Sequence, residues 1–169
     1  MPTITSTIRI AASPEVVREK FLDFSWIPEH KPAVFKSIQT PDKPSPSLGD
    51  GDRIIFTTSL GGKASTVEAR IASNRPDEFS WGGLPFGLLH GVHSFRFVGV
   101  DDGRATNFVH GEDFSGLLGF LFGGGYLARL IGLAEEIKLQ YSAFSIDFRK
   151  WVEEGECQEE RSASMGIIG

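Results

Sequence analysis

Asp102-Gly103 lies at the centre of the stretch that most constrains this chain. The dipeptide is a favoured pair for a two-residue hairpin turn, in which both central residues take positive φ. With Asp102 and Gly103 in those two positions, Phe97 faces Phe108, Phe95 faces His110 and His93 faces Glu112. Side chains alternate along a strand, so these six share one face, together with Phe114. The opposite face takes Ser94, Arg96, Asn107 and Asp113, which belong in water. A phenylalanine-rich sheet face must be covered by a second layer, so the hairpin demands an antiparallel sheet with something packed on it.

The cover is legible near the end of the chain. Leu127, Leu130, Ile131, Ala134, Ile137, Tyr141, Phe144, Phe148 and Trp151 keep to spacings of three or four. That is one face of a helix, and Glu135, Glu136, Lys138, Asp147, Arg149 and Lys150 fall on the other. The pattern predicts a helix from Tyr126 to Val152, about 40 Å long at 1.5 Å per residue. At the start, Ile4, Ile8 and Ile10 alternate with polar residues and predict a strand over Thr3–Ala11. Ser13-Pro14-Glu15 then reads as a helix start: a capping serine, a proline in the first turn and an acid at the positive end of the dipole. Val17, Phe21 and Phe24 form one face of that short helical segment. Further strands are expected at Ala33–Thr40, Arg53–Ser59, Ala64–Ser73, Glu78–Gly82, His90–Val100 and Arg104–Phe114. Gly61-Gly62, Asn74 to Asp77 and Asp101 to Gly103 divide them as turns. The fold class is α+β: about seven antiparallel strands, a short helical segment after the first, and a long C-terminal helix.

Composition narrows the function classes. The 169 residues suit one domain, expected over residues 1–152, with a flexible tail over 153–169 that lacks periodicity. Seventeen Lys and Arg against 22 Asp and Glu give a net charge of -5, which argues against a nucleic-acid partner. The single cysteine, Cys157, excludes an internal disulfide. The uncharged run from Phe114 to Ala128 is shorter than the ~20 residues a bilayer crossing needs, and no basic segment followed by an apolar run opens the chain. A cytoplasmic protein without a membrane span is expected. Oligomeric state leaves no mark in the sequence. Gly123-Gly124-Gly125 has neither the feeding strand nor the following Lys-Ser/Thr of a phosphate cradle, and no cofactor is expected.

The polar groups with chemical potential are His93, His110 and Glu112, all on the inward face of the hairpin. Cβ atoms facing each other across two strands lie about 4.5–5.5 Å apart, so His93 and Glu112 are expected to hydrogen-bond directly. Their readings are a structural pair, a ligand anchor, an acid/base pair, or with His110 a two-His, one-carboxylate metal set. No metal is expected, because the ligands are not spaced as a motif. His90 and His93, three apart on a strand, point to opposite faces, and His30 is expected in an exposed loop.

Three stretches resemble the START-like, or SRPBCC, superfamily: ASPEVVREKFLDFSWIPEH, FSWGG around Trp81, and HSFRF paired with TNFVHGEDFSGLL. The last pairing is similar to polyketide cyclase/dehydrase-like and CoxG-like members. The resemblance covers Thr3 to Val152, and departs from the family where Arg18 stands in place of a tryptophan and where FLFGGGY precedes the long helix. It implies the helix-grip fold, a curved antiparallel sheet wrapped around the C-terminal helix, with a hydrophobic ligand held between them. On that reading Phe56, Trp81, Phe95, Phe97, Phe108 and Tyr141 are the expected cavity walls, with His93, His110 and Glu112 as polar anchors. The function expected is binding of a small apolar molecule, such as a lipid or polyketide. The alternative is a cyclase or dehydratase in which His93 or His110 is the base and Glu112 the acid or orienter. A partner-binding module using the apolar Leu117–Phe122 run is the third class.

Overall fold

The computed structural model describes residues 3–60, 63–83, 90–115 and 133–165. Strand β1 (Thr3–Ile10) leads into helices α1 (Pro14–Leu22) and α2 (Trp26–His30). Then come β2 (Phe35–Gln39), a 3₁₀ turn at Ser45–Ser47, β3 (Arg53–Leu60), β4 (Lys63–Arg75) and β5 (Glu78–Gly83). The hairpin of β6 (His90–Val100) and β7 (Ala105–Ser115) precedes helix α3 (Leu133–Met165). All strand pairs are antiparallel, in the order β1-β7-β6-β5-β4-β3-β2. The sheet is thus a meander from β2 to β7, with β1 returning to pair beside β7. It curls around α3 as a half-barrel: the helix-grip architecture.

Helix α1 begins as its sequence dictates. Ser13 Oγ accepts the Val16 N–H at 3.4 Å and Pro14 occupies the first turn. Its buried face carries Val17, Phe21 and Leu22. Phe21 makes ring contacts with Phe24, Phe79, Phe95, Phe97, Phe108 and Phe148, so it joins α1, the sheet and α3 in one core. Helix α2 stops at Lys31, whose left-handed φ of 49° ends the helical path. It seats Trp26 against Trp151 of α3, rings stacked with centroids 5.4 Å apart.

Arg18, the residue that departs from the family pattern, works on the outer side of α1. Its Nε donates to the Arg75 carbonyl at 2.9 Å, and its guanidinium also donates to Asn74 Oδ1. Asn74 Nδ2 in turn donates to the Leu48 carbonyl at 2.8 Å. One polar relay therefore ties α1, the β4–β5 turn and the segment before β3.

On α3, Ile137, Tyr141, Phe144, Phe148 and Val152 are buried, as the apolar stripe predicts. Leu127, Leu130 and Ile131, and the whole expected start of the helix, lie outside the described residues, as do the turn at Gly61-Gly62 and the Leu117–Phe122 run. The other end differs from expectation. Missing periodicity after Val152 predicts an irregular tail, yet the helix continues through Met165. The reason is propensity: the residues after Val152 are rich in Glu, with Gln, Arg, Ala and Met, which favour helix without needing a surface to cover. A break in register between Phe35 and Ser37 is a second feature periodicity did not signal. The extra residue, Lys36, is exposed, and its insertion lets Phe35 and Ile38 both point inward although they are three apart. Among the described residues, no helix is long and apolar enough to cross a membrane.

Candidate functional site

The site is built on the β6–β7 hairpin. The last pair is Val100 with Ala105, so the connection holds four residues, Asp101 to Arg104, rather than the expected two. Asp101, Asp102 and Gly103 adopt φ of 54°, 56° and 79°, a left-handed run that two aspartates and a glycine tolerate better than most residues. The longer turn keeps its centre at Asp102-Gly103. The register is therefore the one the sequence predicts: Phe97 pairs with Phe108, Phe95 with His110 and His93 with Glu112. Phe95, Phe97, Phe108, His93 and His110 are all buried, while Arg96 on the other face is exposed.

Side-chain pairing departs from expectation. His93 Nδ1 lies 3.7 Å from Glu112 Oε2, beyond hydrogen-bond range. The hydrogen bond of His93 runs instead to its diagonal neighbour, with Nε2 of His93 and Nε2 of His110 separated by 2.6 Å. Glu112 Oε2 accepts the phenolic O–H of Tyr141 from α3. Tyr141 also stacks on His110, centroids 4.1 Å apart at 18°, and Trp81 of β5 stacks on His93 at 5.2 Å and 10°. The result is one continuous array: Trp81, His93, His110, Tyr141, Glu112. Gly91 leaves the carboxylate its place, since a Cβ there would stand 2.6 Å from Glu112 Oε1 and the side chain would have to shift.

The electrostatics follow from burial. Loss of water pushes His93 down to about 3. It holds His110 well below the ordinary histidine range, helped by the proximity of His93 and opposed by a backbone contact from Tyr141. Burial raises Glu112 to about 7, against the lowering effect of the Tyr141 hydrogen bond and with some help from Asp113. Its side chain keeps 21% exposure, making it the solvent-facing end of the array. Tyr141 is held well above its ordinary value by burial, then by the charge and hydrogen bond of Glu112. Near neutral pH both imidazoles and the phenol are uncharged, and Glu112 exchanges its proton readily.

A hydrogen bond between two neutral imidazoles needs one ring to donate and the other to accept. Whichever tautomer is present, the two outer Nδ1 atoms then hold one donor and one acceptor between them. Among the described residues, neither His110 Nδ1 nor Trp81 Nε1 has a hydrogen-bond partner, and both are buried. Because the Nε2 atoms engage each other, the imidazoles do not converge on a shared ion. Among the described residues no three His, Cys, Asp or Glu side chains are placed to hold a metal.

Of the other expected wall residues, Phe56 is half-buried and stands edge-on to Phe35. Phe95 and Phe108 stack at 5.9 Å, and Phe108 meets Phe148 of α3 at 4.9 Å, so the described walls touch one another across the interior. A cavity of about 590 Å³ opens elsewhere, between the end of α1, α2, β2 and residues 44–46. His30 is exposed at the end of α2, its Nδ1 3.0 Å from the Trp26 carbonyl oxygen, and Cys157 is exposed on α3. Sequence reasoning missed the Tyr141–Glu112 bond. A signal existed: one of only two tyrosines lies on the inner stripe of the helix, opposite the one inward-facing acid of the hairpin.

A family model described as polyketide cyclase / dehydrase and lipid transport matches residues 1–134. No curated protein matches the sequence. Among solved structures, a START superfamily protein from Mycobacterium smegmatis is 11% identical, with 90% of this chain and 97% of that one aligned at a TM-score of 0.67. The Zhui aromatase/cyclase from Streptomyces sp. R1128 is 16% identical over 89% of this chain and 93% of its own, at 0.62. TTHA0849 from Thermus thermophilus is 15% identical over 91% and 99%, at 0.64. Identities this low establish shared architecture and nothing finer.

Proposed function

Because this chain belongs to the polyketide cyclase/dehydrase and lipid-transport family, we propose that it binds a small apolar molecule between the sheet and α3. His93, His110, Glu112 and Tyr141 are the polar anchors, and Trp81, Phe95, Phe97 and Phe108 with half-buried Phe56 are the walls. The observation that carries this reading is the buried array itself. Three hydrogen-bonding side chains, His93, His110 and Tyr141, are withdrawn from water into an aromatic interior with Glu112 at its edge, and each unmet polar group there costs about 1–3 kcal/mol. Among the described residues, the buried His110 Nδ1 and Trp81 Nε1 in this array are left without partners, as are Trp26 Nε1 and Ser73 Oγ away from it. An interior selected for stability alone gains nothing from such groups, whereas a ligand's oxygen atoms satisfy them.

A second reading, a cyclase or dehydratase, is favoured by one specific feature. Glu112, raised to about 7, stands near two neutral imidazoles, and general acid–base chemistry works best with groups titrating near the working pH. In that role Glu112 is the group that takes or gives the proton beside a carbonyl, and the neutral imidazoles orient the substrate oxygen.

The test is titration with the neutral apolar fluorophore Nile red, with native mass spectrometry of protein purified from its own source. One equivalent bound, and weakened by Phe95→Ala and His93→Ala in variants that stay folded, supports the binding reading. A co-purifying compound recovered unchanged after long incubation identifies a carrier, and a converted one an enzyme. Protein that binds no apolar compound refutes both and leaves the partner-binding module.

A further inference from the structure

We propose that the site selects an uncharged ligand: an apolar molecule whose hydroxyl or carbonyl oxygen meets the outer nitrogens of the His93–His110 pair, and not a carboxylate, phosphate or ammonium. This rests on the binding reading above and names the ligand class for it.

The argument begins with what surrounds the pair. Trp81 covers one face of His93, Phe35 stands edge-on to it, and Tyr141 covers His110. Among the described residues no lysine or arginine is buried: the buried polar side chains are four serines, one threonine and the two histidines. An anionic headgroup entering here would leave water without a cation to meet it, at a cost of several kcal/mol. The imidazoles do not become that cation, since burial keeps both uncharged at neutral pH. Glu112 is already engaged by Tyr141 and, when ionised, repels an anion.

Ammonium is excluded by a different part of the same geometry. Its best partner, Glu112, already takes the Tyr141 O–H and stands at the solvent-facing end of the array, so pairing there does not bring an ammonium to the buried nitrogens, where the Trp81 N–H is a donor like its own. A neutral oxygen, by contrast, finds complementary partners. A hydroxyl both donates and accepts, so it can use whichever role the His110 Nδ1 presents, and a carbonyl can take the indole N–H of Trp81.

The experiment compares four pyrene probes of matched shape on the wild-type protein at pH 7.5: butylpyrene, pyrenebutanol, pyrenebutanoate and pyrenebutylamine. The expected result is pyrenebutanol binding about tenfold or more tighter than both charged probes, and about three- to tenfold tighter than the hydrocarbon, the worth of one satisfied hydrogen bond. His110→Phe keeps an aromatic ring while removing the nitrogen, and should erase the preference for the alcohol over butylpyrene. Pyrenebutanoate or pyrenebutylamine binding as tightly as the alcohol overturns the inference while the binding reading stands. A preference for the alcohol that survives in folded His110→Phe overturns the assignment of that nitrogen. Binding of none of the four overturns both.

Discussion

Replacing Phe144 with alanine tests whether α3 is held by the sheet in the way described. Phe144 is fully buried and packs its ring against Trp26, Phe35, Phe95, His110 and Phe148, so it touches α2, β2, β6, β7 and its own helix. A buried aromatic removes roughly 150–250 Å² from water, which at about 25 cal/mol per Å² amounts to about 4–6 kcal/mol. Truncations of this kind cost about 3–5 kcal/mol in practice, because neighbours relax only partly into the space. Alanine returns about 0.5 kcal/mol through its better helix propensity. The net expectation is a loss of about 3–4 kcal/mol, a large share of the roughly 5–15 kcal/mol a domain possesses. At about 2–4 °C per kcal/mol for a chain of this size, Tm falls by about 6–16 °C. Urea titration followed by far-ultraviolet circular dichroism gives the global value, and tryptophan fluorescence reports on Trp26 beside the deletion. Leu139→Ala is the internal comparison: Leu139 is 69% exposed on the same helix, and its truncation should change stability by no more than about 0.5 kcal/mol. Equal midpoints for the two variants would refute the packing of α3 on the sheet.

Acid should expose the histidines. The folded-state value of His93 is depressed to about 3, so its contribution is complete above about 6.5 and is lost as pH falls toward 3. Glu112 is raised to about 7, so its contribution is complete below about 4.5 and is lost as pH rises through 7. Between pH 7 and 4 the two oppose each other; Tm measured across that range should fall more steeply in Glu112→Gln and less steeply in His93→Gln than in the wild type, and superimposable profiles would contradict the burial argument. Gly91→Ala should displace the Glu112 carboxylate and cost about 1–3 kcal/mol, while adding Glu112→Ala should cancel part of the loss; strict additivity in the double-mutant cycle would show the two do not touch. Asn74→Ala should cost more than Arg18→Ala in chemical denaturation, since Asn74 links the Leu48 carbonyl to the Arg18 guanidinium; the reverse order would break the proposed relay.

What could be read from the sequence was whatever depends on period and turn chemistry. Alternation of Phe95 and Phe97 with Ser94 and Arg96, set against Asp102-Gly103, determines register whether the connection has two residues or four, because both are centred on one point. Register places Cβ atoms. It does not choose rotamers, and so His93 reaches His110 diagonally instead of Glu112 directly across. Nor does it supply donors from another layer: the Tyr141 hydroxyl arrives from a helix that approaches only once the chain has folded. The length of α3 escaped for the converse reason. Its last turns rest on local propensity, which a search for an apolar stripe does not see.

The bulge at Lys36 bears on how copies of this molecule can meet. A sheet extends into a ribbon only when each added copy offers two usable edges, one to accept and one to be accepted. Among the described residues the edges are β1 and β2. β2 is five residues long, interrupted between Phe35 and Ser37, and carries an exposed ammonium at the interruption. A neighbouring strand running along it would lose its ladder after two or three bonds and meet a solvated charge there. β1 presents eight uninterrupted residues. Of the two edges, β1 is therefore the one along which a second strand could ladder without a break.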